Sequence, residues 1–285
     1  DANIKWSTCG ITLFNQTMIG QYPHGIFIDS NDTIYVANHN DNLIFILYNG
    51  SIIPDKNISV PLYEYSALFV TLNGDIYFEN ENEKGRIDKW PKNGTKSEVV
   101  ALFSHNCRGL FIDIYNNLYC SLFDKGKVER VSLYDNQSTI LTVTSDLDKP
   151  FGIFVDNRSN IYVAGSGDWT IKLFQSGETI GNVVAGNRFP NDLTLNLPTD
   201  VILDADDVLY VADNENHRIV RVWSDNYECI IGCTGKSGST SYEFNKAYAV
   251  RFDSLGNLYV VDEYNHRIQK FLLGHNSCGK QFLDI

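Results

Sequence analysis

Several things are missing from this 285-residue chain. No apolar run reaches the roughly 18 residues that a membrane-crossing helix needs. Basic side chains are scarce, with 23 Lys and Arg against 35 Asp and Glu and a formal charge of −12. Such a surface repels phosphate backbones, which makes nucleic acid a poor partner, and it also serves plain solubility. No G-x-S-x-G, H-E-x-x-H or phosphate-binding glycine loop occurs, so nucleophilic, zinc-protease and nucleotide chemistry find no motif. There is no leader-like N-terminal segment and no initial Met, which reads as a mature or trimmed product. A long helical pattern appears nowhere.

What is present suits a real core, because 43% of the residues are hydrophobic and 13% aromatic. Seven N-x-S/T sequons stand at Asn15, Asn31, Asn49, Asn57, Asn93, Asn136 and Asn157. The chain holds 29 Asn and 35 Ser plus Thr, from which chance gives about 3 to 4 such sites. The six cysteines, Cys9, Cys107, Cys120, Cys229, Cys233 and Cys278, form an even set. Together these counts favour a secreted, extracellular, disulfide-containing glycoprotein. A cytosolic Asn-rich protein with free thiols is the alternative.

Internal repetition organises the rest. "PHGIFIDSNDTIYVANHNDNLIFIL" begins at Pro23, and related stretches begin at Tyr65, Cys107, Pro150, Pro198 and Ala247. The tyrosine of each "IY" or "LY" pair falls at Tyr35, Tyr77, Tyr119, Tyr162, Tyr210 and Tyr259, spaced by 42, 42, 43, 48 and 49 residues. Each copy opens with a short Ile/Val/Phe run that reads as a buried strand. Asp29, Asp113, Asp156, Asp204 or Asp253 ends the run, with Thr71 in the second copy, where a side-chain oxygen can cap a turn. A second strand, a polar bend, a third strand and a fourth follow. Four strands per copy is the grammar of a propeller blade.

"ADNENHRIVRV" from Ala212 and "VDEYNHRIQKF" from Val261 resemble the NHL repeat, as does the weaker "ANHNDNLIFIL" from Ala37. The resemblance implies an all-β fold, a six-bladed β-propeller of four-stranded antiparallel blades, as one domain over residues 1–285. Copies two, three and four depart from the triplet with "KGR", "KGK" and "DWT". His217 and His266 hold the same place in two repeats, so they read as bend residues that bond locally rather than as ligands of one metal.

The sixth copy supplies three strands, and "GITLF" at residues 10–14 is a spare one. It is expected to complete the last blade and remove an exposed edge. Cys9 precedes that strand and Cys278 follows the last repeat, so a Cys9–Cys278 bridge would lock the ring. Cys107 and Cys120 pair by proximity. Cys229 and Cys233 remain; along a straight strand their α-carbons would stand about 13 Å apart, so Gly232 must provide a bend. A Cys-x3-Cys metal site is the rival, without a matching second pair.

In an inner strand that begins "P-x-G", residue x should lie at the channel mouth, and across the six copies that position is His24, Ser66, Arg108, Phe151, Thr199 and Tyr248. The resemblance brings one enzyme into view, the peptidylglycine amidating lyase, whose family holds zinc with histidines at such positions in three blades. Here His24 alone matches, so no zinc set and no catalytic residue is assigned; Arg108 and Tyr248 could orient an anion or a carbonyl. Calcium-dependent lactonases on this architecture use acidic and Asn residues around the channel. The six positions hold none, although Asp200 and Glu64 leave room for a channel calcium ion. RNA-binding NHL proteins need a basic face, which this composition does not provide.

Asn31 and Asn157 fall in first-to-second strand turns, and Asn49, Asn93 and Asn136 in third-to-fourth turns, all on one face. The opposite face, with the mouth and the bends at His39, Trp169, His217 and His266, would then be free for a partner. The expected function is a non-catalytic binding or scaffolding module for a protein or glycan. The alternatives are a subunit of an extracellular homo-assembly, using tails 1–9 and 274–285, and a channel-centred metal-dependent lyase or lactonase-like enzyme.

Overall fold

The computed structural model describes residues 5–65, 67–134, 139–187, 194–224 and 226–274. These form six separate four-stranded antiparallel sheets. The first strands of successive sheets touch one another, and that of the sixth touches that of the first, so the blades close into a ring. Blade 1 begins with Gly25–Ile28, blade 2 with Leu68–Val70, blade 3 with Cys107–Ile112, blade 4 with Pro150–Val155, blade 5 with Pro198–Leu203 and blade 6 with Ala247–Phe252. The only α-helix among the described residues is one turn, Gln16–Ile19, capped by the Asn15 side chain.

Two turns per blade explain why the repeat has its composition. The first-to-second turn is capped by the aspartate foreseen from sequence. Asp29 accepts from the amides of Asn31 and Thr33, each at 2.9 Å, and Asp113, Asp156, Asp204 and Asp253 do the same in their blades. The other carboxylate oxygen receives the hydroxyl of the repeat tyrosine, at 3.0–3.2 Å for Tyr35, Tyr119, Tyr210 and Tyr259. That bond gives the tyrosine a polar partner in an otherwise apolar wall.

The second-to-third bend places one residue in the left-handed region in every blade: Asn42, Gly85, Gly126, Trp169, His217 and His266, with φ between 52° and 74°. These are the central residues of the NHL triplet and its departures. A Cβ at Gly85 would lie 2.3 Å from the Phe103 carbonyl, and one at Gly126 would lie 2.5 Å from that of Leu147. Copies two and three, which have glycine at this place, therefore use the residue their closer packing demands.

The NHL histidines are structural, but their bonds are not local. His217 Nδ1 accepts from the Lys246 amide at 3.1 Å, and His266 Nδ1 accepts from the Tyr22 amide at 3.2 Å. Each stitches its bend to the start of the next blade. Burial holds the His217 imidazole below the usual histidine range, in keeping with a ring nitrogen that must stay an acceptor.

Between the inner strands runs an aromatic chain, with Phe27–Phe69, Phe69–Phe111 and Phe111–Phe154 centroids 4.9, 5.2 and 5.2 Å apart. Cys107 and Cys120 are joined with α-carbons 5.2 Å apart, and Cys229 and Cys233 with theirs 5.7 Å apart. Gly232, at φ +75°, makes the bend the second pair requires. The Cys9–Cys278 pairing falls on Cys278, which lies outside the described residues.

Ile11–Phe14 pairs antiparallel with Arg267–Phe271 and completes blade 6. One expectation needs correction here. The tail 1–9, expected outside the blades, packs within blade 6 in its described part, since Trp6 bridges to Leu273 and Ser7 N donates to the Leu272 carbonyl at 2.8 Å. The Trp6 indole is buried, packs edge-on to Tyr210 at 5.5 Å, and donates to the Gly256 carbonyl at 2.8 Å. Apolar burial beneath the closing strand outweighs the solvation of a short N-terminal segment. Trp6→Ala should therefore lower unfolding free energy by about 3–5 kcal/mol in urea denaturation. A change below about 1 kcal/mol would mean the closing strand holds without it.

Candidate functional site

Inner strands run from the mouth, where His24 and its equivalents sit, to the capped turns at the other face. At the mouth, five of the six expected positions are described, and Ser66 lies outside the described residues. His24, Phe151 and Tyr248 are buried, and Arg108 is partly exposed. The His24 ring lies 4.7 Å from Tyr65 and 5.0 Å from Tyr248, and Tyr248 meets Phe151 edge-on at 6.2 Å. Thr199 is buried, and its hydroxyl donates to the Tyr248 carbonyl at 2.6 Å.

Arg108 spans this cluster. Its guanidinium lies 4.5 Å from the Tyr65 ring centroid, 5.3 Å from Phe123, and 5.6 Å from both Tyr63 and Phe151. One N–H donates to the Glu64 carbonyl at 3.1 Å. Stacking on aromatic faces suits a weakly hydrated planar cation. The mouth is thus a packed aromatic plug with one cation across it.

Beneath the plug lies a cavity of about 30 Å³, lined by residues that include His24, Tyr65, Arg108, Asp200, Tyr248 and Arg251. That is room for water or one small polar group, well below the several hundred Å³ of a usual organic-ligand pocket. His24 Nε2 lies 3.3 Å from Glu263 Oε1, while His24 Nδ1 and the Tyr248 hydroxyl are buried without a protein partner. Burial raises the Tyr248 pKa well above its ordinary value, so the phenol keeps its proton. Among the described residues, no group of three or more His, Cys, Asp or Glu side chains is placed to hold a metal ion.

The acidic residues considered for calcium have other duties. Asp200 accepts from the amides of Val201 and Val250, each at 3.0 Å, and pairs with Arg251. Burial raises the Asp200 pKa against the pull of Arg251. Glu64 is exposed. Copy comparison could have found the Asp200–Arg251 pair. Asp200 stands where blades 1, 3 and 4 have Gly25, Gly109 and Gly152, and Arg251 stands where four blades have phenylalanine.

Sequence reasoning also missed Glu79. It ends the second strand of blade 2, where the other copies have Ala37, Ser121, Ala164, Ala212 and Val261. It is buried, accepts from the Cys107 amide at 3.0 Å through Oε1, and leaves Oε2 without a partner. Burial outweighs that bond and the nearby Arg108, and the carboxyl is pushed up to about 8.

The described sequon residues Asn15, Asn31, Asn49, Asn57, Asn93 and Asn157 are all exposed, and Asn136 lies outside the described residues. The turns on the sequon-bearing face also expose Tyr48, Ile52, Ile53, Leu72, Ile114 and Leu255. That face is therefore apolar as well as sequon-rich.

Glu79 yields a pH test. With a folded pKa near 8 against about 4.5 unfolded, its protonated form is favoured in the fold. The cost is absent below the unfolded value, grows as pH rises between the two, and is complete above the folded value. Glu79→Gln should gain stability relative to wild type as pH is raised from 4.5 to 8, by about 2–4 kcal/mol at the upper end. Unfolding titrations at both pH values read this, and a pH-independent difference would place the ionised form in the fold.

Three comparisons bear on this geometry. The NHL repeat family matches residues 195–222 and 244–271, and a β-propeller repeat family matches 138–168. NHL repeat-containing protein 3 of Mus musculus is 24% identical over 220 residues, which are 70% of this chain and 60% of that protein. The chain thus spans less than two thirds of this relative's length. A Bacteroides thetaiotaomicron protein of unknown function superposes with a TM-score of 0.77 at 13% identity, covering 95% of this chain and 76% of its own. Virginiamycin B lyase from Staphylococcus aureus, solved with Quinupristin, gives a TM-score of 0.63 at 13% identity, covering 95% and 99%. Such likenesses establish the fold alone. The repeats, the closed ring and the family matches together describe a six-bladed β-propeller that carries NHL repeats in its last two blades.

Proposed function

We propose that the chain is a secreted, glycosylated binding or scaffolding module that takes a protein or glycan partner on its mouth-bearing face. The observation that carries this reading is the aromatic plug. Tyr65, Phe151 and Tyr248 fill the channel mouth, Arg108 spans it, and the cavity beneath is about 30 Å³. A channel filled in this way leaves surface recognition as the fitting role. Part-exposed Arg108 and Trp169, 43% exposed, supply the residue types that dominate binding energy at interfaces. Two joined cysteine pairs and the exposed sequons support the extracellular setting.

A second reading has one observation in its favour. His24 is held at Nε2 by Glu263, and its Nδ1 and the hydroxyl of neighbouring Tyr248 are buried without a protein partner, polar atoms of the kind that proton transfer uses. A lyase-like or lactonase-like role would use it, with or without a channel metal such as calcium. The homo-assembly reading is weakened at one end, because Trp6 and Ser7 already pack within blade 6.

The test is a screen of the secreted protein against glycans and extracellular proteins, repeated with the Arg108→Ala/Trp169→Ala variant. At least a tenfold loss of affinity is expected, since two anchors of this kind each contribute about 1 kcal/mol or more. Undiminished binding by the variant would move the interface elsewhere. Stoichiometric metal in the purified protein, lost in His24→Ala, would replace this reading with the enzymatic one.

A further inference from the structure

The loop between the third and fourth strands of blade 1 exposes more apolar surface than its neighbours. Tyr48 is 54% exposed, Ile52 76% and Ile53 63%. The loop is nonetheless well formed. Ser51 N donates to the Tyr48 carbonyl at 2.9 Å, closing a turn with Asn49 and Gly50 at its centre. Asp55 N returns to the Ile46 carbonyl at 3.0 Å, and the Asp55 carboxylate receives the Tyr48 amide at 2.8 Å. Three large apolar side chains are therefore held in water by a defined backbone, which is unfavourable unless something covers them.

A sequon stands in the middle of this patch. Asn49 is exposed at the turn apex, and a Cβ built on neighbouring Gly50 meets no atom within 4 Å, so the space above the turn is open. Of the other described sequons, four have polar chain neighbours, Lys92 beside Asn93, Arg158 beside Asn157, Ser30 and Asp32 beside Asn31, and Lys56 beside Asn57, and the Asn15 side chain caps the one-turn helix.

We propose that an N-linked glycan at Asn49 is a structural cover, whose first sugar lies on the Tyr48, Ile52 and Ile53 side chains. This rests on the secreted, glycosylated reading above and deepens it, since it singles out one sequon whose sugar stabilises the fold. Attachment joins Asn49 Nδ2 to C1 of the sugar. The C1–O bond of a lipid-linked glycosyl diphosphate donor breaks, the diphosphate leaves with the bonding pair, and Nδ2 gives up one proton. The remaining N–H can keep the contact of Nδ2 with Asp32 Oδ2, now 3.5 Å. An N-acetylhexosamine suits the cover chemically. It presents C–H groups and an acetyl methyl on one side, for the tyrosine face and the isoleucines, and hydroxyls to water on the other.

The experiment compares wild type with Asn49→Gln and Asn93→Gln, each made in a secreting host with glycosylation and in a form without sugars. Peptide mass spectrometry first reads occupancy. With sugars, Asn49→Gln should melt about 2–4 °C below wild type and bind more of a hydrophobic dye. Without sugars that gap should vanish, and Asn93→Gln should match wild type throughout. In an Ile52→Ser/Ile53→Ser background, loss of the Asn49 sugar should no longer matter. An Asn49 gap that persists without sugars, or one no larger than that of Asn93→Gln, overturns the cover while leaving the glycoprotein reading intact. Bare peptides at every sequon of the secreted protein overturn both.

Discussion

Trp6 and Gly256 lie 250 positions apart, yet the indole N–H of one donates to the carbonyl of the other at 2.8 Å. This contact belongs to the seam on which the ring depends. Without Ile11–Phe14, blade 6 would end on Arg267–Phe271 and offer an open row of backbone donors and acceptors. The same seam is stitched at both faces. His266 takes the Tyr22 amide at the mouth, and Asp32 takes the amide and hydroxyl of Ser254 at the opposite face, at 2.7 and 2.8 Å. Each of these bonds spans more than 200 residues. Their loop-closure cost must be met before they reward the chain, which makes closure a late event in folding. The other blade junctions join consecutive sequence and carry no such cost.

A closed ring leaves a channel, and this chain fills it in two ways. Where four blades turn phenylalanines toward one another, the wall is sealed by edge-to-face contacts. Where blade 6 has Arg251 in that place, blade 5 answers with Asp200, and two backbone amides complete the carboxylate's bonding. A buried pair of this kind adds little net stability over apolar packing, but removing either partner strands the other. It therefore fixes how blades 5 and 6 meet more than how strongly. Glu79 takes the other solution to burial, a proton instead of a counter-charge. The two carboxyls differ because Asp200 has a cation in bonding contact, while Arg108 near Glu79 is turned to the aromatic rings.

Much of the architecture was legible from the repeat. Strand period, capping aspartates and blade number follow from local rules that repeat many times, so errors in one copy are corrected by the others, while the closing strand and two cysteine pairs follow from a strand left over and from closeness along the chain. The NHL triplet could be located but not explained until φ was known. His217, Trp169 and Gly126 look unrelated as chemistry and are equivalent as left-handed residues. The mouth was legible as a list of positions and not as a site. Whether Arg108 reaches toward solvent or lies over Tyr65 depends on rotamers that sequence spacing does not encode. Tyr65 and Glu263, which contact His24, stand respectively where other copies have proline, cysteine or alanine and where they have Asn214 or His39, so comparing copies does not mark them. Trp6 was missed because a single aromatic before the first copy has no period to announce it.

The two faces now differ in kind. At the mouth, aromatic side chains are already occupied by one another and by Arg108, so a partner would meet a rigid, cation-bearing surface whose ordering cost has been met in advance. At the opposite face, the turns leave Leu72, Ile114 and Leu255 exposed around the channel and Tyr48, Ile52 and Ile53 farther along blade 1. Left bare, so much apolar surface invites association. Sequons on the same face, with Asn49 inside the blade 1 turn itself, offer a way to keep that surface in solution without burying it in an interface. On the proposed reading, a sugar coat over the apolar turn face would leave the mouth as the face open to a partner.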